Sequence, residues 1–409
     1  MKKFILVVMI FMIGTLVCSC EKTEDNTSSS EESGTQPSSV DSEIVYVTLD
    51  EARKEADELK GNKYLDFELP EKIVMPEGNT LGIYEVSCRY MNDYQADLEC
   101  IKNLWDDYEK TENIEMLHIE NEHMDENGKV LPKLKSILYV DDETEPTYAY
   151  SFTRCGKIMF ESKKCSWTRF IDGSKWYDFN WVDKIPEKEG CELPEGYMSV
   201  AEAVGLVEER VNQHYSVLEN QQFEYRVSEL TLAENSSNDT PEYYMVISKV
   251  YNGTVIDTVG EFVLNDNKRI KKIIRGDAFT VIINEKNKIS GVNATGYGGA
   301  KNIKEKEKTE KIISLKSALS LAKKEIATIG LENIYNAGLA YYYVLDPVYD
   351  EHGEVHADLG PDDTWEMRPL WLFAQKKPGE NPGSALSGHG PSILVDAIDG
   401  TVYYFNTTA

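Results

Sequence analysis

Three stretches, Val47-Thr48-Leu49-Asp50-Glu51-Ala52, Met198-Ser199-Val200-Ala201-Glu202-Ala203 and Ile313-Ser314-Leu315-Lys316-Ser317-Ala318, repeat one pattern. An apolar residue precedes Ser or Thr, then come Leu or Val, two variable positions and Ala. Each reads as a helix start. Thr48 with Glu51, and Ser199 with Glu202, have capping-box spacing, in which each side chain satisfies an otherwise orphan amide. Ser314 has the cap without the reciprocal acid, because Ser317 stands there. Val47, Met198 and Ile313 supply the apolar staple before each cap. Beyond the caps, Val200, Ala203, Val204, Val207 and Val211 form one helical stripe, and Leu315, Ala318, Leu319, Ala322 and Ile326 another.

After each helix the pattern turns to strands. In the second repeat these are 243–250, 254–264, 278–283 and 289–292, with Asn252-Gly253 as a hairpin turn. In the third they are 340–345, 370–374, 393–396 and 401–405, with Asp399-Gly400 as a tight turn. The prediction is an α+β fold of two or three modules, each an N-terminal helix packed on an antiparallel β-meander. Composition breaks at Pro186–Pro194 and across the charged run Lys301–Lys311, so the modules are expected at 196–300 and 311–409. Residues 44–185 read as a divergent N-terminal α+β domain. It has a second helical face at Leu98, Ile101, Trp105 and Tyr108, then strand-like runs at 116–119, 137–140, 147–153, 157–160 and 176–181.

The helix start, the meander and the closing Ile393-Leu394-Val395-Asp396-Ala397-Ile398-Asp399-Gly400-Thr401-Val402-Tyr403 together resemble the PepSY type of module. That module ends in an apolar strand, Asp-Ala, a short turn and a second strand. The second repeat differs, carrying Ile282-Ile283-Asn284-Glu285-Lys286-Asn287 in place of Asp-Ala and Gly. Tandem modules of this kind occur in bacterial envelope proteins, including membrane-tethered regulators of sensor kinases of the YycH and YycI type. The resemblance covers the last ~220 residues and implies association with a kinase or peptidase rather than chemistry of the chain's own.

The N-terminus points to the same compartment. Lys2 and Lys3 precede an apolar run from Phe4 to Val17, too short for a comfortable membrane span and flanked as a secretory signal is. Val17-Cys18-Ser19-Cys20 looks like a bacterial lipobox. Residues 1–19 are therefore expected to be a lipoprotein signal peptide and Cys20 the lipidated (diacylglyceryl, palmitate-type) residue, anchoring the protein to the outer face of the membrane. Residues 20–43 then form an acidic, Ser-rich tether, which by the square-root law for flexible chains spans roughly 25–30 Å.

The chain has 409 residues with 71 acidic against 43 basic side chains, a formal charge of -28. No nucleic acid partner is expected, since phosphates require Lys and Arg stripes, and a polybasic grip on anionic lipid is excluded likewise.

No coherent catalytic motif appears, and no cofactor or metal is expected. Cys155 and Cys165 flank a strand-like run, so either a disulfide across one hairpin or buried thiols suit a secreted chain. Cys88 and Cys100 could pair likewise. His352 and His356 have zinc-like spacing only if helical, and Pro347 and Gly353 make the stretch a turn between strands. Ser387-Gly388-His389-Gly390 lacks the glycines of a nucleophile elbow. Trp176, Tyr177, Phe179 and Trp181 form the densest aromatic run and are the candidate recognition surface. The function expected is a non-catalytic envelope lipoprotein that binds and regulates a protein partner. The alternatives are a ligand-capture lipoprotein for a solute or glycan, or a hydrolase whose site is assembled from distant residues.

Overall fold

The computed structural model describes residues 44–88, 99–100, 102–106, 195–235, 240–257, 262–266, 269–276, 279–294, 300–329, 333–346, 348–349, 355–356, 364–375 and 392–405. It also describes strands within 116–178 as backbone. The fold mixes α and β structure around a large sheet. In chain order come β1 (Tyr46–Val47), α1 (Leu49–Leu59), β2 (Lys63–Tyr64), β3 (Phe67–Glu68), β4 (Ile73–Val74) and β5 (Leu81–Cys88). Then follow β6 (Met116–Asn121), β7 (Leu134–Tyr139), β8 (Tyr148–Phe152), β9 (Ile158–Ser162), β10 (Thr168–Phe170) and β11 (Tyr177–Asp178). Helix α2 (Val200–Arg210) precedes β12 (Glu224–Asn235), β13 (Thr240–Tyr251), β14 (Thr254–Ile256), β15 (Phe262–Asp266), β16 (Arg269–Arg275), β17 (Phe279–Ile283), β18 (Ile289–Ala294) and β19 (Ala300–Thr309). Last come β20 (Ile312–Ile313), α3 (Leu315–Ile329), β21 (Asn336–Leu345), β22 (Val348–Tyr349), β23 (Val355–His356), β24 (Thr364–Ala374), β25 (Ser392–Asp396) and β26 (Val402–Phe405).

The three helices with cap signals in the sequence, α1, α2 and α3, begin where the caps place them. Thr48 and Ser199 each form a full capping box with Glu51 and Glu202. Ser314 Oγ accepts from Ser317 N–H at 3.1 Å. The missing acid comes from elsewhere in the chain, for Glu55 Oε2 on α1 accepts from Leu315 N–H at 2.7 Å.

One antiparallel strip runs β6–β7–β8–β9–β18–β17–β13–β12, with β10 and β11 on the outer edge of β12. Six further strands close on themselves. β21 pairs with β24, β24 with β25, β25 with β26, β26 with β15, β15 with β16, and β16 with β21, all antiparallel. Helix α3 packs outside this ring on β25 and β26. The alternate side chains, among them Ile274, Tyr342, Val344, Leu370, Leu394 and Tyr403, form a core of their own within it. There Tyr342 donates to the buried Asp257 at 2.5 Å. The main core lies under the helices and the opposite face of the same strands, including Trp371, Phe373, Val395 and Leu319.

Two sequence expectations are corrected. The run 254–264 is not one strand: it ends at Ile256 and resumes at Phe262, and β15 and β16 leave to complete the ring. The charged run 301–311, expected as a break, is mostly strand β19, paired with β5 along its length. Its Lys and Glu side chains between 304 and 308 are exposed, which suits an edge strand and explains a composition that mimics a linker.

The second and third repeats are tied by matching bonds. Before α2, Met198 N–H donates to Asn287 Oδ1 at 2.8 Å and Met198 C=O accepts from Tyr243 Oη at 2.6 Å. Before α3, Ile313 N–H donates to Ala397 C=O at 2.8 Å and Ile313 C=O accepts from Trp371 Nε1 at 2.9 Å. Tyr243 pairs with Ile283 and Trp371 with Val395, each the residue just before the turn. In the turns, Asn284 Oδ1 accepts from Lys286 and Lys288, as Asp396 Oδ1 does from Ile398 and Asp399. Asn287 (φ +59°) takes the left-handed position that Gly400 (φ +79°) holds in the other turn. Asn at both places thus replaces the Asp and Gly that the sequence lacked there.

After α2 the chain passes through a π-helical turn (Val211–Tyr215) and a 3-10 turn (Ser216–Glu219) into two left-handed residues, Asn220 and Gln221. This places Glu219, fully buried, against Lys249 Nζ at 2.7 Å. Glu219 also accepts from Tyr225 Oη and from Ala300 N–H at the start of β19.

Candidate functional site

A cleft of about 350 Å³ opens where β21 changes neighbours. Along one side β21 pairs in parallel with β4 at Ala337 and Gly338, then with β14 at Tyr341, before meeting β16. Because β14 is only three residues long, the sheet around β13 and the sheet around β21 diverge beside it. Residues 72–77, α2, β12, the β13–β14 hairpin and Leu339 line the gap, so three distant parts of the chain build it. Crevices of this kind, between packed units, are where ligands and partner side chains are usually held.

One end is closed by two glycines. Asn252 (φ +49°) and Gly253 (φ +73°) form the left-handed hairpin turn expected from sequence. Gly253 C=O accepts from Glu77 N–H at 2.7 Å. A Cβ on Gly78 would lie 1.9 Å from Asn252 C=O. Arg53 on α1 holds the same loop, donating to Pro76 C=O at 2.8 Å and to Gly78 C=O.

The charged lining is unevenly compensated. The Arg226 guanidinium on β12 is engaged by Glu224 (2.7 and 3.0 Å) and by Glu77 (3.0 and 3.1 Å), which hold it protonated. Glu208, on the last turn of α2, uses Oε1 to accept from Val227 N–H at 2.8 Å beside a bulge in β12. Its other oxygen takes no hydrogen bond from a described residue. Burial pushes its carboxyl above the ordinary range, against a smaller opposite pull from the Val227 amide and Arg226. The remaining wall sets Lys72 and Ser248 among aliphatic side chains, Val74, Met75, Val250, Val255 and Leu339. A smaller cleft of about 330 Å³ lies between Ile44, Val47, Glu55 and the start of α3.

Cys20, Cys155, Cys165, Trp176, Phe179 and Trp181 lie outside the described residues. Tyr177 begins β11, paired with Leu230, and only its backbone is described. Cys100 is a buried thiol, so the pairing with Cys88 is not made. Val348 pairs with His356 and Tyr349 with Val355 in a two-stranded antiparallel sheet, and His352 lies outside the described residues. Among the described residues no three His, Cys, Asp or Glu are placed to hold a metal ion, and no helix is long and apolar enough to cross a membrane.

Sequence reasoning missed Glu208, Arg226 and Glu77. The one signal was local: Glu208 lies four residues after Val204 and three before Val211, on the flank of the apolar stripe of α2. Nothing in the sequence brings Glu77 to Arg226.

No protein-family model matches the chain, and no curated protein does either. The chain is similar to an uncharacterized protein from Eubacterium rectale ATCC 33656 known from a crystal structure. The likeness covers 87% of this chain and 99% of that one at 13% identity and a TM-score of 0.51. It is a likeness of fold alone.

Proposed function

We propose that this chain is a non-catalytic lipoprotein of the bacterial cell envelope, anchored through Cys20, that binds and regulates a protein partner at the outer face of the membrane. The observation carrying the reading is the cleft where the parts of the chain meet, which offers a charged recognition group on aliphatic walls. The helix-on-meander module belongs to this proposal. Its support is the matched anchoring of Met198 and Ile313 ahead of α2 and α3. The partner class is a membrane kinase or peptidase, as the PepSY resemblance implies.

The test is crosslinking of the full-length protein in cells, followed by mass spectrometry of the captured species. One dominant membrane kinase or peptidase is the expected result. An empty capture, with the crosslinker active on a control, would overturn the reading. A second reading is ligand capture, favoured by a cleft volume within the small-molecule range. Stabilisation of the protein by a sugar or free amino acid in a thermal-shift series would support it.

A further inference from the structure

We infer that the cleft is a socket for a basic side chain, lysine or arginine, presented by the bound protein partner, with Glu208 as the residue that meets its charge. The inference rests on the partner-binding reading above and adds the chemistry of the contact. Three features point to a cation. Arg226, beside Val227 on β12, has its fork engaged by Glu224 and Glu77. An anionic guest would therefore bring its charge beside the carboxylates of Glu77 and Glu208, with Arg226 engaged by Glu77 and Glu224 and with Lys72 on the wall. A neutral guest would take water from Glu208 and leave its second oxygen without a partner, which is costly for a carboxylate.

The aliphatic lining completes the argument. Val74, Met75, Val250, Val255 and Leu339 offer no hydrogen-bonding side chain, but they suit the methylene stem that Lys and Arg bury while keeping a charged head at a polar end. A small ammonium ion would use Glu208 and leave this wall wet. The chain's formal charge of -28 also favours encounter with a basic surface. A partner segment with one exposed Lys or Arg among uncharged residues is the expected guest.

The experiment uses the purified full-length protein and fluorescein-labelled pentapeptides Ala-Ala-X-Ala-Ala, where X is Lys, Arg, norleucine or Glu, read by fluorescence anisotropy. The Lys and Arg peptides should bind about tenfold or more tighter than norleucine, the size of one charge-assisted hydrogen bond. Glu208→Gln should reduce them to the norleucine level. That variant keeps an oxygen for Val227 N–H, and an unchanged melting temperature shows that it folds. Glu305→Gln, on the exposed edge strand, should leave binding unchanged. Equal binding of norleucine, full binding by Glu208→Gln, or no binding of any peptide up to millimolar concentration would overturn the socket. Competition by n-butylamine or spermidine as strong as by the Lys peptide would assign the site to free amines and overturn the peptide guest. In-cell capture separates the two levels. A partner caught equally by wild type and Glu208→Gln refutes the socket alone, whereas a partner caught by neither refutes the reading beneath it.

Discussion

Glu55 on α1 caps the helix that begins at Leu315, 260 residues away, through a 2.7 Å bond to its backbone N–H. The third helix start lacks the reciprocal acid of a capping box, and the first helix supplies one. The same region is sewn by Ser314 N–H to Val45 C=O (2.9 Å), Val45 N–H to Ser317 Oγ (3.0 Å) and the β1–β20 pair. The beginning of the described chain is thus part of the last repeat's helix N-terminus. Glu55→Ala should cost about 1 kcal/mol, as loss of an N-terminal cap does, and Glu55→Gln less. Urea unfolding of both variants beside wild type measures this. No loss in either would mean that water replaces the carboxylate fully.

Gly78 and Gly253 cross with no room for a side chain. A Cβ on Gly253 would lie 2.5 Å from Gly78 N, and its φ of +73° is one that L-residues avoid. Gly78→Ala and Gly253→Ala should each cost about 2 kcal/mol or more, or free the hairpin tip from the 76–78 loop. Hydrogen exchange distinguishes these, since undocking exposes the Glu77 amide without global destabilisation. Wild-type stability and protection in both variants would contradict the crossing.

The buried pair Lys249–Glu219 should behave as a unit. Lys249→Met leaves a fully buried carboxylate with Tyr225 and Ala300 as its donors among the described residues, and should cost about 3–5 kcal/mol. The double variant Lys249→Met with Glu219→Leu should recover most of that, because no buried charge then lacks a counter-ion. A double variant no better than the single would indicate that the carboxylate's bonds to Tyr225 and Ala300 matter more than its charge.

Asn287 performs two tasks, a left-handed turn and the bonds from Met198 N–H and to Gly196 C=O. Asn287→Gly keeps the turn and loses the bonds, whereas Asn287→Ala loses both. The expected order of melting temperatures is wild type, then Gly, then Ala, with Gly costing about 1–2 kcal/mol. Equal values for Gly and wild type would show that the anchoring of α2 lies elsewhere.

Binding to the cleft should depend on pH through Glu208. Its carboxyl titrates above the usual 4.5 because it is buried, with Arg226, Glu224, Glu77 and Lys72 as its charged surroundings. The proton is therefore held more tightly folded than unfolded. This contribution to stability is full below pH 4.5 and is lost as pH rises through the raised value. Cation binding has the opposite sign, because it needs the ionised form. Affinity for the Lys peptide should fall as pH drops through the raised value, and in Glu208→Gln that fall should be absent. The peptide titration repeated across pH for both proteins checks it.

Local signals in the chain were enough to place the three helix starts, the Asn252-Gly253 hairpin and most strands of the later repeats. Capping and alternation are short-range physics: a Ser Oγ three residues from a backbone amide, or a Val at every second position, needs no knowledge of the rest of the chain. The charged strand β19 escaped because edge strands are selected for Lys and Glu, the same residues that make linkers. β12 escaped because its Tyr225–Val227 and Leu230–Leu232 alternations are out of phase across a bulge. What tertiary structure alone decided is where distant pieces meet. β15 closes the ring on Tyr404 from Val263 and β16 on Leu345 from Ile273, both far along the chain. Glu55 caps a helix it never neighbours in sequence, and Glu77, Glu208 and Arg226 become one site. Such contacts depend on packing two apolar faces against each other. Binary pattern specifies that a face is apolar, but only the folded chain determines which other face covers it.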